Sequence, residues 1–259
     1  MPTGAERFVQ QIVKKAGLAA LKRFGKDGVH YSKSAHRGDV VTKADLLSNL
    51  IIVSAIKKRY PTHGIISEET GKSNTDADYI WIIDPIDGTF NFATNVPLFG
   101  VMVALAYKKS IILSAIFLPS DDELYFARRG RGAYMNGKRL RCSRIKNWSS
   151  SAGVGPTWLS PRSLRFLKGL LTEAKNKKMM FSGLGSIAID AAYIAAGKRD
   201  WFAGLNGKLH DFAPAYLLMR EAGCKVTNIH GKDWTFEDRE VLAANPVLHK
   251  KLLKLAKGV

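Results

Sequence analysis

The segment that most constrains this chain is Tyr79-Ile80-Trp81-Ile82-Ile83 followed by Asp84-Pro85-Ile86-Asp87-Gly88-Thr89. An apolar, β-branched run of this length reads as a buried strand, so the fold must place a sheet around it. The strand then ends on a carboxylate and turns through a second one. Asp84 and Asp87 are hard oxygen donors, and Pro85 restricts the backbone between them. The turn can therefore present two carboxylates and the Ile86 carbonyl to a divalent cation. Gly88 permits close approach of a ligand to the backbone, and a helix beginning after Thr89 would turn free amide groups toward a phosphate. An isolated Asp-x-x-Asp-Gly is simply a turn with Asp84 as a cap. Three further acidic elements shift the balance toward a cation site: Asp45 in Val41-Thr42-Lys43-Ala44-Asp45, the pair Glu68-Glu69 after Ile65-Ile66-Ser67, and Asp211 in His210-Asp211-Phe212-Ala213.

The surrounding pattern mixes helices and strands. Phe8, Ile12, Ala16, Ala19, Ala20 and Phe24 recur at helical spacing, as do Leu46, Leu47, Leu50, Ile51 and Ala55 before Tyr60-Pro61. Between these two helices, the polar stretch from Ser32 to Asp39, with Lys33, His36 and Arg37, reads as an exposed loop able to cover a site. Strands are expected at Tyr79 to Ile83, Gly100 to Tyr107, Ile111 to Leu118 and Glu123 to Ala127, forming an antiparallel-leaning sheet. Lys108-Lys109-Ser110 joins two of them as a hairpin, and Asn136-Gly137 is a strong turn signal. Beyond Arg141 the order becomes mixed, with strands near Ala152 to Gly155 and Met179 to Phe181. Helices are expected over Pro161 to Ala174, Ser186 to Ala196 and Asp211 to Ala222, and another at the basic C-terminus. The boundary falls near Cys142 to Ser150, giving an N-terminal α+β half over residues 1–145 and a C-terminal α/β half over 146–259.

Charge and cysteine usage narrow the class. Lys and Arg exceed Asp and Glu to a formal net charge of +18, which favours anionic ligands. The cations are scattered and no nucleic-acid motif accompanies them, so a solvated basic surface is favoured over an RNA-binding one. Two cysteines, Cys142 and Cys224, make no disulfide framework. No apolar run approaches the roughly 20 residues that span a bilayer, and no secretory signal opens the chain. A soluble cytoplasmic protein is expected.

The string Asp84-Pro85-Ile86-Asp87-Gly88-Thr89, taken with Asp45, Glu68, Asp211, Gly185-Ser186, Asp200 and Glu221-Ala222-Gly223, resembles the inositol monophosphatase superfamily of magnesium-dependent, lithium-sensitive phosphatases from about Gly38 to Val226. The resemblance implies an α/β (α+β) layered α-β-α-β-α sandwich with the active site between the two halves, and a homodimer. It implies that Glu68, Asp84 and the Ile86 carbonyl hold one Mg2+, and that Asp84, Asp87 and Asp211 hold a second. A third, weaker ion would lie near Glu68. Glu68 and Thr89 would orient the attacking water, Asp45 would hold the Thr89 hydroxyl, and the amides of Gly88 and Thr89 would grip the phosphate. No covalent enzyme intermediate is implied.

The remaining candidates carry more ordinary alternatives. Lys33, with His36 and Arg37, is a candidate phosphate cover as well as a solvated loop residue. Gly185 and Ser186 are candidates for the substrate's alcohol portion, although Ser186 fits a helix N-cap better. His210 stands where the family most often has Trp and is expected to fill a structural role beside the metal site, in preference to a ligand role; Glu69 is undecided. Inositol-selective members carry a Glu seven residues before the final metal-binding Asp, and that offset here gives Gly204. A sugar or polyol phosphate such as inositol monophosphate leads, with fructose 1,6-bisphosphate, histidinol phosphate or a 3′-phosphonucleotide as alternatives. The non-enzymatic alternative is an RNA- or transcription-complex-binding protein that uses the basic surface.

Overall fold

Helical periodicity near the N-terminus and strand periodicity beyond it are both realised in the computed structural model, which describes residues 1–35, 38–175 and 179–257. Helix α1 (Ala5–Leu21) leads to β1 (Val29–Ser32), which pairs antiparallel with β2 (Val40–Thr42). Of the stretch expected as loop only Ser32 is strand, residues 33–35, 38 and 39 form the loop, and His36 and Arg37 lie outside the described residues. Helix α2 (Lys43–Arg59) starts from a capping box, in which the Asp45 amide donates to the Thr42 hydroxyl and the Thr42 amide donates to the Asp45 carboxylate.

The first sheet contains β3 (Gly64–Ser67), β4 (Gly71–Ser73), β5 (Tyr79–Asp87), β6 (Gly100–Tyr107), β7 (Ser110–Leu118), β8 (Glu123–Arg128), β9 (Gly132–Met135) and β10 (Lys138–Arg139). Their spatial order is β10-β9-β8-β7-β6-β5-β3-β4, antiparallel throughout except for the β3–β5 pair. A short helix, α3 (Thr89–Ala93), follows β5. Lys108 and Lys109 both take positive φ between β6 and β7, the conformation a two-residue hairpin turn requires even of non-glycine residues.

The second half contributes β11 (Ala152–Val154), α4 (Pro161–Ala174), β12 (Met180–Ser182), α5 (Ile187–Ala195), β13 (Trp201–Leu205), α6 (Leu209–Glu221), β14 (Lys225–Thr227), β15 (Glu240–Ala244) and α7 (Pro246–Ala256). Its five strands are ordered β12-β11-β13-β15-β14.

Alternation along the strands assigns the layers, because successive side chains point to opposite faces. Trp81, Ile83, Val103 and Leu113 face Val9, Val13, Ile52 and Ile56 of α1 and α2. Ile82, Ala104 and Ile116 face the other way, onto α5 and α6. Those two helices in turn meet Val154, Phe202, Val241 and Ala243 of the second sheet. The outer face of that sheet, with Trp201, Leu242 and Ala244, is covered by Phe166 and Leu170 of α4 and Leu248 and Leu252 of α7. The result is an α-β-α-β-α sandwich. No helix among the described residues is long and apolar enough to cross a membrane.

Candidate metal centre

The regular β5–β6 register runs down to Asp84 opposite Met102, breaks, and resumes with Asp87 opposite Gly100. Such an irregularity re-aims side chains, and here it brings Asp84 and Asp87 to one end of the strand. Gly88 follows at φ 87°, and a Cβ there would lie 2.8 Å from the Leu98 carbonyl oxygen, so glycine is required both by conformation and by space.

Other elements deliver the remaining carboxylates to the same place. Ligand atoms from Asp84, Asp87 and Asp211 lie within 4.8 Å of one another, and so do those from Glu68, Asp84 and His210. Asp84 belongs to both groups. It is 2% exposed, and its Oδ1 has no hydrogen-bond partner. Asp87 accepts from the Ser186 hydroxyl and, at 2.8 Å, from the Ala188 amide at the start of α5. Asp211, in the first turn of α6, accepts from the Lys208 amide at 2.6 Å. Asp45 lies behind them and accepts from the Thr89 hydroxyl at 3.0 Å; that hydroxyl also lies 2.8 Å from the Ile86 carbonyl oxygen.

Protonation follows from this crowding. Burial, then repulsion from Glu68, Asp87 and Asp211, pushes the Asp84 carboxyl well above its ordinary range. Burial raises Asp87 to about 7 despite the Ser186 and Ala188 hydrogen bonds, and raises Asp211 to about 7 despite the Lys208 amide. Asp45 is likewise raised to about 7 by burial against its bonds from Thr42 and Thr89. Glu68 differs: burial would raise it, but His210, Lys33 and Lys208 hold it below the usual carboxylate value. Burial lowers His210 to about 4, leaving the imidazole neutral at neutral pH. A buried set of hard oxygens that repel one another, with one oxygen unpartnered, fits a divalent cation such as Mg2+, which supplies the missing positive charge.

The structure therefore brings together Asp45, Glu68, Asp84, Ile86, Asp87, Gly88, Thr89, Ser186 and Asp211. Gly185, at φ 72°, precedes the α5 cap, and Ser186 both caps that helix and holds Asp87. Lys33 lies at the rim, 3.0 Å from Glu68 and 2.9 Å from Glu69, so Glu69 is a partner of the loop lysine. His210 stands beside the site, as expected, with its Nε2 3.8 Å from Glu68 and 3.5 Å from Asp211. One residue of the cleft was missed. Asp190 is buried on α5 with an unpartnered Oδ1 and lines the same cleft. A lone acid within Ile187-Ala188-Ile189-Asp190-Ala191-Ala192 was the available signal.

The cleft above the carboxylates encloses about 300 Å³ and is walled by Phe90, Trp158, Ser160, Asp190, Gly204 and Asn206. Gly38 closes against the Trp158 ring so tightly that a Cβ would lie 1.9 Å from it. The N-terminal segment thus meets the C-terminal half across the cleft. Gly204 packs against two aromatic rings, with a Cβ position 2.6 Å from both Phe202 and Phe212.

A model of the inositol monophosphatase family matches residues 5–259. The chain is 38% identical over 255 residues to an inositol-1-monophosphatase of Mesorhizobium japonicum, covering 95% of this chain and 94% of that one. It is 33% identical over 242 residues to the Nus factor SuhB of Escherichia coli, covering 93% and 91%. Among solved structures, the suhB protein of Bartonella henselae superposes with a TM-score of 0.91 at 29% identity over 98% of this chain and 99% of that one. A Thermotoga maritima IMPase superposes with a TM-score of 0.87 at 28% identity over 97% and 96%.

Proposed function

The chain belongs to the inositol monophosphatase family, and on that premise we propose that it is a Mg2+-dependent phosphatase hydrolysing a small phosphate monoester, inositol monophosphate or a related sugar or polyol phosphate. The observation that carries this proposal is the pair of carboxylate groups sharing Asp84, whose Oδ1 is buried without a partner. Glu68, Asp84 and the Ile86 carbonyl would hold one Mg2+; Asp84, Asp87 and Asp211 would hold a second, and a weaker third would lie near Glu68, as the family resemblance implies. When bound, such ions neutralise phosphate oxygens and activate water as the nucleophile.

The chain's own residues do the positioning. The single Thr89 hydroxyl proton is directed to Asp45 or to the Ile86 carbonyl. The Thr89 oxygen is thereby left to accept a hydrogen bond from water, and with Glu68 it would fix the water's orientation. The Gly88 and Thr89 amides would take a phosphate oxygen, with Lys33 contributing positive charge at the rim. Lys208, whose Nζ lies 3.7 Å from Glu68, adds to the same field. A cleft of about 300 Å³ is at the small end of ligand sites, which suits a compact polyol phosphate.

The test is phosphate release by the purified chain from inositol monophosphate, fructose 1,6-bisphosphate, histidinol phosphate and a 3′-phosphonucleotide, with Mg2+ or with chelator. Activity on the first, created by Mg2+ and abolished in a folded Asp87→Asn variant, is expected. Equal turnover in chelator, or none on any of the four, would sink the proposal. A second reading comes from relatives named Nus factor SuhB: RNA or transcription-complex binding through the basic surface. Salt-sensitive RNA binding retained by Asp87→Asn would support it.

A further inference from the structure

The two groups of candidate ligands are chemically different. Asp84, Asp87 and Asp211 offer only oxygen, whereas Glu68 and Asp84 are joined by the imidazole of His210. His210 sits in the first turn of α6, directly before Asp211, so the helix that aims one ligand also fixes the other. Its side chain is nine-tenths buried, and its Nε2 is sealed from solvent with no hydrogen-bond partner. Buried imidazole nitrogens are ordinarily satisfied, so an unpartnered one aimed among carboxylates needs a reason.

Its distances supply one. Nε2 lies 3.8 Å from Glu68 Oε1 and 3.5 Å from Asp211 Oδ1. Ligand atoms about 2.1 Å from a tetrahedral ion stand about 3.4 Å from one another, so the separation from Glu68 is close to that of two neighbours around a single small cation. The ligand atoms of Glu68, Asp84 and His210 all lie within 4.8 Å of one another, while Asp211 belongs to the other group. Resting on the metal-centre assignment above, we infer that His210 is itself a metal ligand, and that Glu68, Asp84 and His210 form a mixed nitrogen–oxygen site beside the all-oxygen site of Asp84, Asp87 and Asp211. Imidazole suits ions of the later first transition row far better than Mg2+, whereas carboxylates alone suit Mg2+. The centre is therefore asymmetric. The all-oxygen site takes Mg2+, and the site containing His210 prefers an ion such as Zn2+ or Co2+ when one is present.

The experiment uses the full chain and reads binding rather than turnover. With 113Cd2+ as the probe and 15N-labelled histidine, one imidazole should show a one-bond 113Cd–15N coupling that disappears in His210→Phe. Calorimetry should show the variant weakened toward Zn2+ by about tenfold or more, since even supporting partners of metal ligands act on that scale, with Mg2+ affinity little changed. His210→Gln serves if the Phe variant does not fold, and the wild-type spectrum is decisive by itself. Absence of the coupling at saturating 113Cd2+, its persistence in the variant, or equal loss of Zn2+ and Mg2+ affinity would overturn the inference. Mg2+ binding and phosphatase activity without the coupling would overturn this inference alone. A coupling without any phosphatase activity would support it while removing the catalytic proposal.

Discussion

Raising the pH from about 6.5 to about 8 should weaken the metal-free fold and enlarge the stabilisation conferred by Mg2+. Asp45, Asp87 and Asp211 rise from 3.8 to about 7 in the folded chain. Between those values the folded state keeps protons that the unfolded chain has released, so stability falls as pH rises until the folded carboxyls have ionised. His210 and His249, both lowered to about 4, work in the opposite sense, because the folded chain gives up their protons first. Their contribution is complete above the ordinary histidine value of about 6.5, which is why the window begins there. Glu68, held below its usual value, loses its stabilising contribution only at lower pH.

Each fully titrating group contributes at most about 1.4 kcal/mol per pH unit. For a chain of this size, about 1 kcal/mol moves Tm by about 2–4 °C, so one net proton gives a fall of a few degrees across the window. Mg2+ competes with those protons, and at 100 times its Kd it adds about 2.7 kcal/mol. The assay is Tm by differential scanning fluorimetry at both pH values, with and without Mg2+, for wild type and Asp87→Asn. The variant removes one repelling carboxyl. Its metal-free Tm should fall less with pH, and Mg2+ should raise it less. Identical pH dependence in the two proteins, or a Mg2+ shift no larger at the higher pH, would refute the reasoning.

Other outcomes follow from single contacts. Gly204→Glu should lower Tm by several degrees and should not install selectivity for inositol monophosphate, because Phe202 and Phe212 occupy the space of its Cβ and overpacking costs about 1–3 kcal/mol; a stable, newly selective variant would contradict this. Ser186→Ala removes both the α5 cap and a donor to Asp87, so it should cost about 1 kcal/mol in thermal unfolding and weaken Mg2+ binding in calorimetry. Lithium, occupying a magnesium position, should inhibit phosphate release when Mg2+ is kept low, and full activity under those conditions would remove that expectation.

What could be read from the chain was local. The strand-to-turn string from Tyr79 to Thr89 announces itself because burial, turn and carboxylates are contiguous, and Ser186, read as an N-cap, does cap α5. Asp45, Glu68 and Asp211 stand out as acidic elements, but their individual roles came only through resemblance, since nothing in their own neighbourhoods shows that they converge. Asp190 was missed, and the turn of the His210 imidazole toward Glu68 was not legible, because both depend on the rotational setting of α5 and α6 between two sheets. Strand β13 escaped notice because it is short and contains Gly204, whose lack of a side chain weakens the strand signal. The offset to Gly204 showed a missing carboxylate, but not that two aromatic rings had closed over its place.

The same packing explains how mutually repelling acids can be held in a folded chain. Asp45, Asp87 and Asp211 each accept a backbone amide, from Thr42, Ala188 and Lys208 respectively, and each of these amides lies at the start of a helix. Helix N-termini favour negative charge, so they offset part of the burial that would otherwise keep these carboxyls protonated. Values near 7 result, within reach of ionisation when a cation arrives at neutral pH. Asp84 comes from a strand rather than a helix start, and its Oδ1 is left without a donor between the two ligand groups. A carboxylate can accept an amide and still offer lone pairs to an ion, so Asp87 and Asp211 keep their helix-start bonds as candidate ligands. Asp84 Oδ1 has no donor at all, so among these acids it is the oxygen whose burial most requires a cation.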